Sequence, residues 1–471
     1  RRSDYKDPDQ AETASNLLDT VSSDIYSESQ RFVFELIQNA DDAAIDDQNE
    51  VNFSFFNGCL IISHNGHPFS EEDINSLTSA GSSTKKNDAT KTGYKGIGFK
   101  SVFGKSERVT IFSDGYQFRF DKKEFDKILP WQIIPIWTEL NELPLEIQET
   151  VAQLSYSVST IIEIENAESL QKDLTDLLSD GQILLFLRKV SKISVSKNKK
   201  LIYSIEKKTI SEEDNFNEVT LFKNESKISS WITKTFDNIP VPKETKEELK
   251  KDEKTPKKLR DAVFTELSFA AKIEENKLRT LKDKPSLIFT YLPTKVSDFN
   301  FPFLVNGSFL TNAAREGIHE DKVWNQWLFS LIGEKIFDWL ASLATSKYRF
   351  QLLQLLPHKF GSTQNELKQS FDKSFSAHSK SKAYIITEQN QIRKSSEVVL
   401  DKTGLSVQSF IDPTSITEFL SKEKNLEFDG DCFVSTQVEE SNRLKQVGVE
   451  VFELENFETF FRSKYFTTRH N

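Results

Sequence analysis

Apolar positions in the first part of the chain switch repeatedly between helical and strand spacing. Residues 27–44 read as an amphipathic helix, with Val33, Leu36, Ile37, Ala40 and Ala44 on one side. The pattern then shortens to strand length. Residues 51–56 and 59–63, joined by Asn57 and Gly58, predict a β-hairpin around an Asn-Gly turn. Residues 70–92 are rich in Ser, Thr and Lys and read as a mobile loop with a short helix. A glycine cluster follows, then a strand over 108–113, an Asp114-Gly115 turn and a strand over 116–120. A further strand is predicted at 160–165 and a helix at 170–178. Helices interleaved with hairpin-linked strands predict an α+β fold whose first part is an α/β sandwich, not a doubly wound parallel sheet.

Near Gly181 the text turns strand-rich and Lys-rich, with strands expected within 183–195 and at 201–205. Residues 243–260 are almost wholly charged and read as an exposed helix, loop or linker. Residues 287–292 look like a buried strand and 324–344 like a periodic amphipathic helix. A third region starts near Tyr348, with a Ser/Lys-rich stretch at 374–382. The expected organisation is therefore 1–180, 181–345 (an α/β middle domain) and 346–471 (a mixed region of unassigned role). No short tandem repeat is visible, and the text stops at Asn471 without a clear end signal, which reads as a fragment.

Composition narrows the class. The 471 residues carry 61 Lys+Arg against 72 Asp+Glu, a net charge of −11, with 37% apolar and 28% charged positions. This is a folding chain rather than a disordered one, and not a generic polyanion binder. Two cysteines, Cys59 and Cys432, exclude a disulfide scaffold and a Cys-rich zinc module and fit a reducing, cytoplasmic setting. No apolar run approaches the ~18 residues of a membrane span. The six histidines (His64, His67, His319, His358, His378 and His470) show no metal-ligand spacing. There is no Met at all, which carries no chemistry. The five lysines within 189–200 read as a solvated strand-and-turn surface, and the aromatic stretch 129–137 as core or inter-domain packing.

Two elements carry chemistry. In the first helix, Glu35, Asn39 and Asp42 fall within about 60° of one another at ~100° per residue. Asn and Asp are poor helix-interior residues, so propensity does not explain them. A carboxylate one turn from an amide suits metal-assisted hydrolysis, the carboxylate polarising a water and the amide oxygen ligating Mg²⁺. The bland alternative is a solvated polar face. The second element, Thr92-Gly93-Tyr94-Lys95-Gly96-Ile97-Gly98-Phe99-Lys100-Ser101, has the glycine density that lets backbone N–H groups approach phosphate oxygens. It is neither a Walker A loop, since Phe99 stands at the lysine position, nor a dinucleotide fingerprint, since Ser101 replaces the third glycine.

Together these elements resemble the GHKL ATPase superfamily, which gyrase, MutL, histidine kinases and the ninety-kilodalton chaperones share. The wording is closest to its sacsin-like, chaperone-type ATP-binding branch, through residues 35–43, 63–69, 93–103, 113–120 and 287–321. The resemblance implies a Bergerat α/β sandwich binding ATP and Mg²⁺. Glu35 would be the general base, Asn39 the Mg²⁺ ligand and Asp42 part of the pocket lining. Gly93, Gly96 and Gly98 would cradle phosphates, with Phe99 and Lys100 beside them, residues 70–92 the lid, and Thr160 near the adenine.

One departure stands out. The family's Asp-x-Gly, whose carboxylate accepts from the adenine amino group, is here His64-Asn65-Gly66. Asn65, His64 or a water would have to replace that acceptor, which puts base specificity in doubt. Downstream, Arg315 and Lys295 match two family patterns for a middle-domain cation that reaches the γ-phosphate. The implied function is slow, Mg²⁺-dependent ATP hydrolysis coupled to lid closure, conformational change or homodimerisation, serving protein remodelling or phage defence. The alternative is a non-hydrolysing nucleotide sensor that recruits a protein or nucleic-acid partner. A histidine kinase is disfavoured, because no His precedes Glu35. The client or effector is not written in the residues, and no membrane partner is expected.

Overall fold

The computed structural model describes residues 7–24, 31–56, 58–79, 99–125, 129–213, 215–252, 255–281, 288–312, 317–424, 427–428 and 430–466. The N-terminal elements are α1 (Pro8–Asp24), α2 (Arg31–Ala43), β1 (Asn49–Phe56), β2 (Cys59–His64) and α3 (Glu71–Leu77). They continue with β3 (Arg108–Ser113), β4 (Tyr116–Asp121), β5 (Ile136–Trp137), α4 (Leu145–Leu154), β6 (Val158–Glu163) and α5 (Ala167–Leu177). Next come β7 (Val190–Lys197), β8 (Lys200–Glu213), β9 (Phe216–Lys223), β10 (Ser226–Pro240), α6 (Lys243–Lys251) and α7 (Lys257–Arg260). After these lie β11 (Phe264–Glu274), β12 (Lys277–Arg279), β13 (Ile288–Thr290), β14 (Leu292–Pro293), β15 (Leu304–Gly307) and α8 (Val323–Leu343). The last are α9 (Glu366–His378), β16 (Ala383–Ile386), β17 (Ile392–Lys394), β18 (Val399–Asp401), α10 (Pro413–Lys424), β19 (Glu450–Phe452) and α11 (Phe457–Phe461).

The fold is of the expected α+β class. Its spine among the described residues is one 15-stranded mixed sheet, ordered β14-β13-β15-β11-β10-β9-β8-β7-β1-β2-β6-β3-β4-β5, with β12 beside β11. The two sequence-predicted hairpins form as expected, Phe56 pairing Cys59 and Ser113 pairing Tyr116. Pairing is antiparallel except for β1 with β7 and β13 with β15. A parallel neighbour needs a crossover, and between β1 and β7 that crossover is the rest of the N-terminal region. Alternation along the strands sorts their side chains by face. Val51, Phe53, Leu60, Ile62 and Ile162 pack with Phe32, Val33 and Ile37 of α2 and with Leu170 and Leu174 of α5. On the opposite face, Phe56, Ile61, Phe112 and Ile161 meet Ile147 of α4. Where β1 and β7 adjoin, that second face is polar instead. Asn52 donates to Ser194 (2.9 Å) and the Ser54 and Ser196 hydroxyls bond each other at 2.9 Å.

Several expectations change in detail. Within the apolar run expected to start a strand at residue 183, Gln182–Leu185 is a 3₁₀ turn entered through Gly181 at φ +68°, and the strand begins at Val190. A short buried run reads alike in both forms, so periodicity alone does not separate them. Trp131 is buried, but Trp137 lies 62% exposed on edge strand β5. Three of the five lysines of 189–200 pair with acidic groups, Lys192 with Glu50, Lys197 with Glu168 and Lys199 with Glu149.

Helix α8, expected to be amphipathic, is buried on nearly every side, from Trp324 and Leu328 to Trp339 and Leu343. The reason is that α9 and the segment after Tyr348 cover the face that would otherwise meet water. A single apolar cluster runs from Phe216 to Val449 and takes in Tyr348, Phe371 and Tyr384. At the α8–α9 crossing, a Cβ on Gly333 would lie 2.7 Å from the Phe371 carbonyl oxygen and 2.8 Å from the Phe375 nitrogen. No helix of the described residues is long and apolar enough to cross a membrane.

Gly333→Ala is therefore expected to destabilise the protein by roughly 1–2 kcal/mol net, overpacking outweighing the helix-propensity gain. A urea denaturation midpoint at or above that of the wild type contradicts this reading of the crossing.

Candidate functional site

The candidate site is built around the C-terminal half of α2. Its apolar stripe is sealed against the sheet, and Glu35, Asn39 and Asp42 line its half-buried flank. The neighbouring Asp41 is buried and acts on the fold. Its carboxylate accepts the backbone N–H groups of Arg188 (3.0 Å), Lys189 (2.8 Å) and Val190 (2.8 Å), fixing the start of β7. The end of α2 is held from two more sides. Asn49 donates its side-chain amide to the Ala40 carbonyl at 3.0 Å, and Lys189 its ammonium to the Ala44 carbonyl at 3.1 Å. Lys207, buried nearby, donates to the Leu187 carbonyl at 2.6 Å. Burial pushes its pKa down to about 8, against the opposing pull of Asp41 and Asp47.

The turn after β2 meets this helix end. The His67 N–H donates to the Ala43 carbonyl at 2.7 Å, and a Cβ on Gly66 would stand 2.6 Å from that same oxygen. Only glycine allows the approach that sets His64-Asn65-Gly66 beside Asp42 and Ala43. His64 follows Leu60 and Ile62 on the α2 side of the sheet, and Thr160 shares that face with Ile162, paired to Ile62 and Ile111. The structure thus sets the turn against the end of α2 and places His64 and Thr160 on the sheet face that α2 covers.

The acceptor atoms of the turn already serve the main chain. The Gly66 N–H donates to His64 Nδ1 at 3.2 Å, and the Glu50 N–H donates to Asn65 Oδ1 at 3.0 Å. With Nδ1 accepting, the neutral imidazole carries its proton on Nε2 and offers a donor there. Ser157 donates to the carbonyls of His64 and Gly66 and braces the turn from behind.

Gly93, Gly96 and Gly98 lie outside the described residues, as do residues 80–92 of the expected lid. The described start of the lid is α3, closed by a capping box between Ser70 and Asp73. Directly after the glycines, Phe99–Gly104 forms a 3₁₀ turn packed on α1 and α2, with Phe99 set edge-on to Phe103 at 6.0 Å. Lys100 in this turn is buried. Its ammonium donates to the carbonyls of Leu77 and Gln132 and lies 5.7 Å from the Phe103 ring. In this arrangement Lys100 ties the end of α3 to the 131–133 turn.

Arg315 also lies outside the described residues. Thr311 bridges Ile318, and Asn325 grips both arms by donating to the carbonyls of Leu310 (2.7 Å) and His319 (2.8 Å). Lys295 sits exposed at the tip of a loop that closes on itself through Thr294, whose hydroxyl and N–H both donate to the Ile288 carbonyl. Asp41, Asn325 and Arg188 were not singled out by sequence reasoning. An Asp directly before Asp42 and an Asn inside an apolar helix are the signals that could have found the first two; Arg188 carries none. The described residues hold no group of three or more His, Cys, Asp or Glu placed to bind a metal. Both cysteines are buried, and burial pushes the Cys59 thiol up to about 12, with Glu163 and Glu146 adding to it.

With this geometry in view, the comparisons with known proteins fall on the same part of the chain. Residues 16–125, which contain α2, the β1–β2 hairpin and the glycine segment, match the Sacsin domain family. The chain is also similar to Protein NO VEIN of Arabidopsis thaliana, at 28% identity over 335 residues. That similarity covers 66% of this chain and 11% of the plant protein, so the chain spans about a tenth of that relative.

Burial pushes the His64 pKa down to about 4, from an ordinary value of 6.5. Between those values the unfolded chain binds a proton that the folded chain excludes. Stability from this group is therefore complete above pH 6.5 and is lost as pH falls towards 4, by about 3 kcal/mol in all. Compared with His64→Gln in urea titrations, the wild type is expected to lose that extra stability between pH 7.5 and 4. A pH-independent difference between the two proteins contradicts a buried neutral imidazole.

Proposed function

We propose that this chain binds ATP with Mg²⁺ and hydrolyses it slowly, as a GHKL-type ATPase with a Bergerat-like sandwich in its sacsin-like domain. The observation that carries the reading is that the Gly66 turn sits against the end of the helix bearing Glu35, Asn39 and Asp42, with His64 and Thr160 on the sheet face that this helix covers. The 3₁₀ turn that follows the glycine segment packs against the same helix. In this reading Glu35 orients the attacking water and takes its proton, and Asp42 lines the pocket. The backbone around Gly93, Gly96 and Gly98 receives the phosphates, with Phe99 and Lys100 framing the segment.

Asn39 fits Mg²⁺ as a neutral oxygen ligand. Such an ion keeps several waters and shares its remaining positions with substrate phosphates, so a dedicated cage of carboxylates is not needed. When bound, Mg²⁺ supplies charge neutralisation at the phosphate oxygens. Lys295 and Arg315 supply further positive charge from the part of the chain beyond the sacsin-like domain. Docking of that part for each cycle accounts for slow turnover and links hydrolysis to conformational change, lid closure or homodimerisation. We extend the same reading to a cytoplasmic role in protein remodelling or phage defence, with an unidentified client.

A second reading, a nucleotide sensor with little turnover, is favoured by one observation. His64 Nδ1 and Asn65 Oδ1, the atoms able to replace the family's adenine-binding carboxylate, are both occupied by main-chain N–H groups. Turnover of Mg²⁺-ATP by the wild type beside Glu35→Ala and Asn39→Ala separates the two. The ATPase reading expects a loss of about 10²-fold or more in kcat for Glu35→Ala, with ATP still bound, and weakened Mg²⁺-ATP binding for Asn39→Ala. Hydrolysis at the wild-type rate in Glu35→Ala removes the catalytic assignment, and binding without turnover in the wild type selects the sensor.

Base choice gives an independent check. His64 offers a donor, whereas an adenine amino group calls for an acceptor. His64→Asp is therefore expected to raise the affinity for ATP relative to GTP by about tenfold, a gain of ~1.4 kcal/mol. An unchanged ratio in a variant that retains wild-type circular dichroism removes His64 from base recognition.

A further inference from the structure

The residue that follows the 183–187 run, Arg188, faces two ways. Its backbone N–H is held by Asp41 at the end of α2. Its guanidinium reaches across to the other half of the sheet, 2.8 Å from Glu266 on β11 and 3.3 Å from the Tyr291 hydroxyl. The guanidinium carbon also lies 5.2 Å from the Tyr291 ring centroid. Tyr291 is the residue at which the strand expected over 287–292 breaks. Its φ of +66° lies in the left-handed region, which a bulky side chain adopts only at a cost, and its N–H donates to Asn306 at 2.6 Å.

Four residues on, in the same self-closed loop, stands Lys295. Phe186 packs on Phe289 with ring centroids 4.8 Å apart, so the contact is apolar as well as ionic. Burial disfavours the Arg188 charge, but the carboxylates of Glu266 and Asp42 favour it, and its pKa is held above the ordinary value. The Tyr291 phenol is raised by burial first and by Glu266 next, and so stays protonated to donate.

We infer that Arg188 is a positioning residue, whose bridge to Glu266 and Tyr291 fixes the 288–296 loop, and Lys295 with it, relative to the Glu35–Asn39 helix. The inference rests on the nucleotide-site reading above, and it adds the route by which occupancy of that site is felt across the sheet. Ion pair, hydroxyl contact and left-handed backbone act together. The strained Tyr291 persists because its ring and hydroxyl are held by Arg188 and its N–H by Asn306. Movement of the α2 end therefore pulls directly on the base of the loop.

The test uses the full chain with Arg188→Ala, which keeps the N–H bound by Asp41, and with Tyr291→Phe, which keeps the ring. Hydrogen exchange is followed with and without Mg²⁺ and a non-hydrolysable ATP analogue. Without nucleotide, amides of 288–296 are expected to exchange about tenfold faster in Arg188→Ala, with a smaller rise in Tyr291→Phe and α2 unchanged. With the analogue, α2 is protected in all three proteins, while 288–296 slows further only in the wild type. Arg188→Ala should also lower kcat by about tenfold with the ATP Kd within about twofold, and Arg188→Lys should restore part of it. Wild-type exchange of 288–296 in Arg188→Ala, or equal slowing of that loop by the analogue in both proteins, overturns the bridge. An analogue that leaves α2 of the wild type unprotected instead overturns the nucleotide reading, and the role of the bridge at that site falls with it.

Discussion

The Asp41 carboxylate and the three consecutive N–H groups it holds form the joint on which the rest of the architecture depends. A strand start leaves backbone donors in need of partners, and a buried carboxylate needs donors; each satisfies the other. The result fixes the end of α2 over the first residues of β7, and β7 is the parallel neighbour of β1. Everything between residues 57 and 189 is thereby closed into one crossover. The flank of α2 that carries Glu35 and Asn39 is held at a set angle to the sheet floor. From β7 the sheet passes by the Asn198–Lys199 turn into β8 and onwards to β14.

That continuity gives the molecule its mechanical character. One sheet reaches from edge strand β5 to edge strand β14, so the region that matches the Sacsin domain and the region after it are joined by backbone hydrogen bonds as well as by side chains. The apolar cluster of the first half includes Trp231, Phe289 and Leu304 from the second. The cluster of the second half extends across residue 345 to Val449. Coupling between halves needs a contiguous physical path with a distinct local arrangement, and the Arg188–Glu266–Tyr291 contact sits where the two halves meet beside α2.

Much of the local structure was legible in the residues. The Asn57-Gly58 and Asp114-Gly115 turns marked both hairpins, because few sequences other than these tolerate the backbone they need. The apolar stripe of α2 gave its inward face. Less legible were features that depend on a distant partner. Nothing in Gln182–Leu185 distinguishes a buried 3₁₀ turn from a strand, since both bury every side chain. The period of α8 predicts one apolar face, and does not show that a polar position such as Asn325 is buried too. Asn325 meets the carbonyls of Leu310 and His319 in the interior. Lys100, beside the glycines in sequence, gives its ammonium to the carbonyls of Leu77 and Gln132, a choice made by where α3 and the 131–133 turn lie.

The sequence by itself determined the α+β class, the hairpins, the helix that bears Glu35, Asn39 and Asp42, and the similarity to the Sacsin domain. These are matters of period, turn chemistry and residue type, which act over a few positions. Only the tertiary structure decided which Asp faces the site and which holds β7, which His64 nitrogen accepts and which donates, and that Tyr291 meets Arg188. Each of those depends on the nearest polar group in space, and that group lies from two residues away in the case of Gly66 to more than one hundred in the case of Tyr291. Hydrogen bonds and ion pairs act over a few ångströms, so the partner that folding brings within reach assigns the role, and residue type alone does not.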